Sequence, residues 1–128
     1  MQIKGTKDRG GYVKNVTVAD CQLLKITIFS AVNYNNDGAA APESPVFENF
    51  VFRNIDFSNA QTKEPVININ GFKAMGHQLK NVVFNHIKLP GSAEVWVNDA
   101  KHVKFNGMFT DTGAKPKYVV KDSEDVVY

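Results

Sequence analysis

The stretch Leu79-Lys80-Asn81-Val82-Val83-Phe84, "LKNVVF", is one of four copies in the chain of the pattern apolar, charged, Asn or His, apolar, variable, apolar. The other copies are Val13-Lys14-Asn15-Val16-Thr17-Val18, Phe47-Glu48-Asn49-Phe50-Val51-Phe52 and Ala100-Lys101-His102-Val103-Lys104-Phe105. Each passes through a two-residue corner (Ala19-Asp20, Arg53-Asn54, Asn85-His86, Asn106-Gly107) into a second apolar piece led by Cys21, Ile55, Ile87 or Met108. A further β-rich run follows in every unit: Lys25–Phe29, Pro65–Ile69, Glu94–Val97 and Lys117–Val120. The alternation of apolar and polar residues is that of strands, and no unit holds a helical period.

Equivalent positions Asn15, Asn49, Asn81 and His102 stand 34, 32 and 21 residues apart. A minimal unit near 21 residues, lengthened by loops in the earlier copies, fits these spacings. A short β unit cannot bury its own inward face, so repeats of this kind stack and share a continuous core. The pattern predicts an all-β chain forming a right-handed parallel β-helix, a pectin-lyase-like solenoid of about four coils. An antiparallel β-sandwich also has many short strands, but it requires no likeness between strands one unit apart. Here the inward positions match in kind. Val18, Phe52, Phe84 and Phe105 should form one file and Cys21, Ile55, Ile87 and Met108 another. Asn15, Asn49 and Asn81 should stack at a corner, hydrogen-bonded to one another and to bent backbone. That ladder also accounts for Asn15 in the formal glycosylation sequon Asn15-Val16-Thr17.

With 128 residues, 43% of them hydrophobic, the chain suits one domain over residues 1–128 with one core. Fifteen basic and thirteen acidic residues give a net charge of only +2, and the basic ones are scattered, which argues against nucleic acid as a partner. Cys21 is the sole cysteine, so an internal disulfide and a thiolate zinc cluster are excluded. No stretch approaches the roughly 20 apolar residues of a membrane helix, and the N-terminus shows no basic-then-apolar signal pattern. Localisation is left open.

The catalytic inventory is short. No nucleophile elbow, phosphate loop or zinc-binding helix occurs, and His77, His86 and His102 lack metal-ligand spacing. Asp8, Asp20, Asp37, Asp56, Asp99 and Asp111 form no evident acid/base pair. The sequence therefore offers no catalytic residue, no metal ligand and no cofactor. The run Asn33-Tyr34-Asn35-Asn36-Asp37-Gly38 has turn chemistry and reads as a loop that interrupts the repeat where a binding loop would stand.

The opening run Gln2-Ile3-Lys4-Gly5-Thr6, continuing through Arg9-Gly10-Gly11-Tyr12-Val13-Lys14-Asn15-Val16, resembles glycoside hydrolase family 28, the polygalacturonases, around their Arg-Ile-Lys motif. The strand and loop Lys25–Tyr34 are similar to the apolar strand that ends near a tyrosine in that family, and the Asp-Arg-Gly-Gly-Tyr-Val version is similar to bacterial members. The resemblance runs through the later coils and implies the C-terminal part of an enzyme that cleaves pectin, or homogalacturonan, by inverting hydrolysis. Such hydrolysis uses two carboxylates far enough apart to admit a water. The family's Asn-Thr-Asp, Asp-Asp and Gly-His-Gly motifs precede Arg-Ile-Lys, and none is present here. Gly76-His77-Gln78 imitates the last but lies in a later coil. The isolated chain is therefore expected to be inactive.

Within the remaining motif Gln2 stands where the family has Arg, which removes a bidentate carboxylate partner. The resemblance implies substrate-binding roles for Lys4 and Tyr34, with Arg9 partly compensating for the lost guanidinium. The plainer reading makes Lys4, Lys7 and Arg9 a solvated basic loop. A non-catalytic carbohydrate-binding solenoid and a purely structural one both stay open as alternatives. The implied partner is an oligo- or polygalacturonate, and a homodimer through an open N-terminal end of the solenoid, two first coils abutting, is the expected assembly.

Overall fold

The computed structural model describes residues 1–6, 10–31, 45–71 and 79–128. Its strands in chain order are β1 (Gln2–Thr6), β2 (Tyr12–Gln22), β3 (Ile26–Ala31), β4 (Val46–Asp56) and β5 (Ile67–Asn70), then β6 (Leu79–Leu89), β7 (Glu94–Asn98), β8 (Ala100–Thr110), β9 (Lys117–Lys121) and β10 (Glu124–Val127). They alternate between two five-stranded sheets, one ordered β1-β3-β5-β7-β9 and the other β2-β4-β6-β8-β10. Every pairing is parallel, and no helix occurs among the described residues. An antiparallel sandwich is thereby ruled out. The chain is all-β with two parallel sheets.

The four copies of the repeat are the four 11-residue strands β2, β4, β6 and β8, paired position for position. Val18 lies against Phe52, Phe52 against Phe84 and Phe84 against Phe105. The phenyl rings stack at centroid distances of 4.8 and 5.0 Å, and Phe52 and Phe84 are fully buried. Cys21, Ile55, Ile87 and Met108 form the second file. Both files are those read from the sequence.

A plain strand turns alternate side chains inward. These strands do not, because in β6 the buried residues are Leu79, Val82, Phe84, Ile87 and Leu89, spaced three, two, three and two apart. The extra residue is Asn81 (φ 58°) or His86 (φ 57°), each in the left-handed region. A residue there bends the strand and moves the alternation by one, as a bulge does. Every neighbouring strand bends at the same places, at Asn15, Asn49, His102 and Asp125 and at Asp20, Asn54 and Gly107, so pairing resumes on both sides of each bend. All described non-glycine residues with positive φ are Asn, Asp or His, whose short polar side chains tolerate that backbone best.

At the first bend Asn81 donates from Nδ2 to Oδ1 of Asn49, and Asn49 donates likewise to Asn15, both at 3.1 Å. His102 and Asp125 continue the column through an Nδ1···Oδ2 contact of 2.6 Å. At the second bend Asn54 donates to Asp20 at 2.8 Å. The Asn15 side chain is thus a ladder member, as the spacing of the asparagines predicts.

The second sheet faces the first across a core that includes Ile26, Ile28, Ile67, Ile69, Val95 and Val97 from the shorter strands. Gly71 marks where the two sheets connect most tightly: a Cβ there would lie 2.0 Å from the Asp99 carbonyl oxygen, so only glycine fits. Lysine and glutamate pairs run across strand neighbours outside the core, with Lys14 to Glu48 at 3.1 Å and Lys101 to Glu124 at 3.3 Å.

Candidate functional site

The outer face of the first sheet gathers the groups best able to hold a ligand. Because Ile67, Ile69, Val95 and Val97 point into the core, the residues between them point out. Register then sets two outward columns. One runs Gln2, Thr27, Asn68, Trp96, Val119, and the other Lys4, Phe29, Asn70, Asn98, Lys121. At the spacing of neighbouring strands each column spans roughly 19 Å, which suits an extended chain better than a single small molecule.

Asn68, Asn70, Trp96, Asn98, Lys121 and Asp122 line a groove of about 420 Å³ on this face. Trp96, the only tryptophan, is 41% exposed. Its indole Nε1 donates to Glu94 at 2.9 Å, and the other Glu94 oxygen meets Lys117 at 3.5 Å, so the ring is held by a fixed carboxylate. Asn98 donates to Asn70 Oδ1 at 2.9 Å and to Asp99 at 3.1 Å, which orients both amides along the column. This is an aromatic ring edged by amide donors and acceptors with an ammonium group nearby. Hydroxyl groups, a sugar-like ring face and a carboxylate are the matching ligand chemistry.

Lys4 lies on β1 at the edge of this sheet, in register with Phe29 and so in the same column as Asn70, Asn98 and Lys121. The residue belongs to a strand rather than to a solvated loop, because Gln2–Thr6 pairs along its whole length with β3. Arg9, Tyr34 and His77 lie outside the described residues, as does the loop 33–42. His86 and His102 occupy strand bends, away from this face. Among the described residues no group of three His, Cys, Asp or Glu side chains is placed to hold a metal ion.

The sequence reading passed over Trp96, Asn68, Asn70 and Asn98. Their signal was present in the alternation of Val66-Ile67-Asn68-Ile69-Asn70 and Val95-Trp96-Val97-Asn98, where one set of positions is apolar and the other is amide or indole. Exposed aromatic and amide residues on the polar side of a strand are a binding signal once the inward side is known.

Charged groups elsewhere serve the scaffold. The Ser58 hydroxyl and backbone N–H hold the Asp56 carboxyl below its usual range, and the hydrogen bond from Lys25 does the same to Glu64. Tyr118 is pushed up by burial and, to a smaller degree, by Tyr128, whose ring stacks on it at 4.3 Å. No protein-family model matches this chain, and neither a curated protein nor a solved structure matches it.

Proposed function

We propose that this chain is a right-handed parallel β-helix of the polygalacturonase type whose first sheet binds an acidic polysaccharide of the homogalacturonan class without cleaving it. The alternation of consecutive parallel strands between two sheets supports the β-helix. Its right-handed sense follows the strong preference for right-handed connections between parallel strands. The observation that carries the function is the pair of outward columns, which sets Lys4 and Lys121 at opposite ends of a run of amides beside the Trp96 indole. The lysines would pair with uronate carboxylates, the amides with hydroxyls and the indole with a sugar face. Of the carboxylates bordering that run, Glu94 is tied to the Trp96 indole and to Lys117, which suits a positioning role better than the acid or base of inverting hydrolysis.

The same sheets would serve a purely structural solenoid, a reading favoured by the continuous side-chain ladders that tie neighbouring strands. One titration separates the two. Trp96 is the only tryptophan, so its emission reports the groove directly. Oligogalacturonate should shift that emission saturably, with affinity falling as salt rises, while a neutral oligosaccharide of equal length should bind several-fold more weakly. Reducing ends should not appear. Equal response to charged and neutral sugars would refute the acidic ligand, and no response to either would leave the structural reading.

A further inference from the structure

Within the described residues, the two outermost strands at one edge of the stack, β1 and β2, are complementary to the two at the other, β9 and β10. Chain order alternates strictly between the sheets, so the first sheet begins at β1 and the second at β2, while the first ends at β9 and the second at β10. A strand following β10 in that alternation would belong to the first sheet and lie beside β9. A second copy's β1 is such a strand, and its β2 is the next one required beside β10. From this match we propose that two copies of this chain stack head to tail, β9 against the partner's β1 and β10 against the partner's β2. The inference rests on the sheet pairing and holds whether or not the first sheet binds sugar.

Register across the contact follows from the columns within one copy. Lys14, Glu48, Lys80, Lys101 and Glu124 share a column, so stacking sets Glu124 against Lys14 of the partner subunit, opposite charges on neighbouring strands. The bend column has a direction, each asparagine amide donating toward the N-terminal end. It therefore presents the Asn15 amino group at one end and the Asp125 carboxylate at the other, a donor and an acceptor that meet on stacking. Inward, Val126 would cover Val16 of the partner subunit, and Val120 would cover Ile3 of the partner subunit. Tyr128, one position beyond Val127, would cover Val18 of the partner subunit. All six of these apolar side chains are only partly covered or exposed in a single copy. One column opposes the contact, Lys121 against Lys4 of the partner subunit. It is outnumbered by one charge pair, one hydrogen-bonded pair and three apolar pairs.

A contact between different ends does not close on itself, so assembly continues past two copies. A two-fold contact between two N-terminal ends would instead stop at a dimer.

Two variants test direction. The first, Glu124→Lys with Val127→Lys, disables the C-terminal end at exposed side chains. The second, Lys14→Glu with Thr17→Glu, disables the N-terminal end. By sedimentation velocity the unaltered chain should rise with concentration beyond about 28 kDa, twice its 14.2 kDa. Each variant alone should stay at 14.2 kDa, and an equimolar mixture should again rise beyond about 28 kDa, because the unaltered ends pair as before and the two altered ends carry opposite charges in the same columns. A monomeric unaltered chain, or a C-terminal variant that still dimerises by itself, overturns the proposal. Should either double variant lose its cooperative urea transition, cysteine pairing replaces it. In a Cys21→Ser background, Val127→Cys should form a disulfide with Thr17→Cys in a mixture, and crosslinking of Thr17→Cys only with itself overturns the head-to-tail contact.

Discussion

Replacing Phe84 by alanine tests the central claim that stacked files hold the two sheets together. Phe84 is fully buried, with Phe52 at 4.8 Å on one side and Phe105 at 5.0 Å on the other. Truncating a buried phenylalanine costs about 3–5 kcal/mol, from lost transfer energy and the cavity left behind. Two aromatic neighbours lose a partner at once, and each such pair adds about 0.5–1.5 kcal/mol beyond burial, so the upper half of the range, about 4–5 kcal/mol, applies. Collapse offers little relief, because the flanking rings are fixed by strand register. Against a domain stability of about 5–15 kcal/mol this is a large fraction. Val18, in the same file but only partly buried at the sheet edge, should lose about 1 kcal/mol or less as Val18→Ala. Urea unfolding followed by circular dichroism, with the slope m compared between variants, measures both. A Phe84→Ala loss below about 2 kcal/mol, or one equal to that of Val18→Ala, would refute the idea that the file is a closed column of packed rings.

The bends give a second test, since Asn49→Ala must hold a φ of 63° without an amide and forfeits two ladder hydrogen bonds. We expect a loss of about 2–4 kcal/mol, with Asn49→Gly recovering about half because glycine accepts that backbone, and urea midpoints read the difference. Trp96→Ala should leave the unfolding free energy from urea titration within about 0.5 kcal/mol while weakening oligogalacturonate binding about tenfold by calorimetry, since the indole lies 41% exposed on the outer face. For pH, the folded Tyr118 hydroxyl titrates above its unfolded value, so the folded state binds the proton more tightly. Its stabilising contribution is complete below about pH 10 and disappears as pH rises through the folded value, and Tyr118→Phe should remove that part of the alkaline loss seen by circular dichroism.

The repeated string in β2, β4, β6 and β8 determined from sequence alone that the chain is all-β, which strands neighbour one another, and which side chains form the inner files. A residue type recurring at equivalent positions of a stacked repeat meets its own copies, so local pattern and long-range contact coincide. The asparagine ladder was legible for the same reason. The left-handed bends were visible only as the kind of residue they require, Asn, Asp, His or Gly, and the three-two spacing they impose on burial emerged from the backbone. Tertiary structure alone decided that Gln2–Thr6 is a strand, because five residues with one lysine gain that conformation from pairing with β3 and not from their own propensity. It also decided which residues join Lys4, already singled out by the resemblance, in the candidate site. Trp96, Asn70, Asn98, Lys121 and Lys4 are scattered over more than a hundred positions of sequence, and only parallel register brings them onto one face. Side chains on the outside of a sheet need not match their neighbours to pack, so the sequence carries little more there than the inward-outward alternation and the match of Asn70 with Asn98.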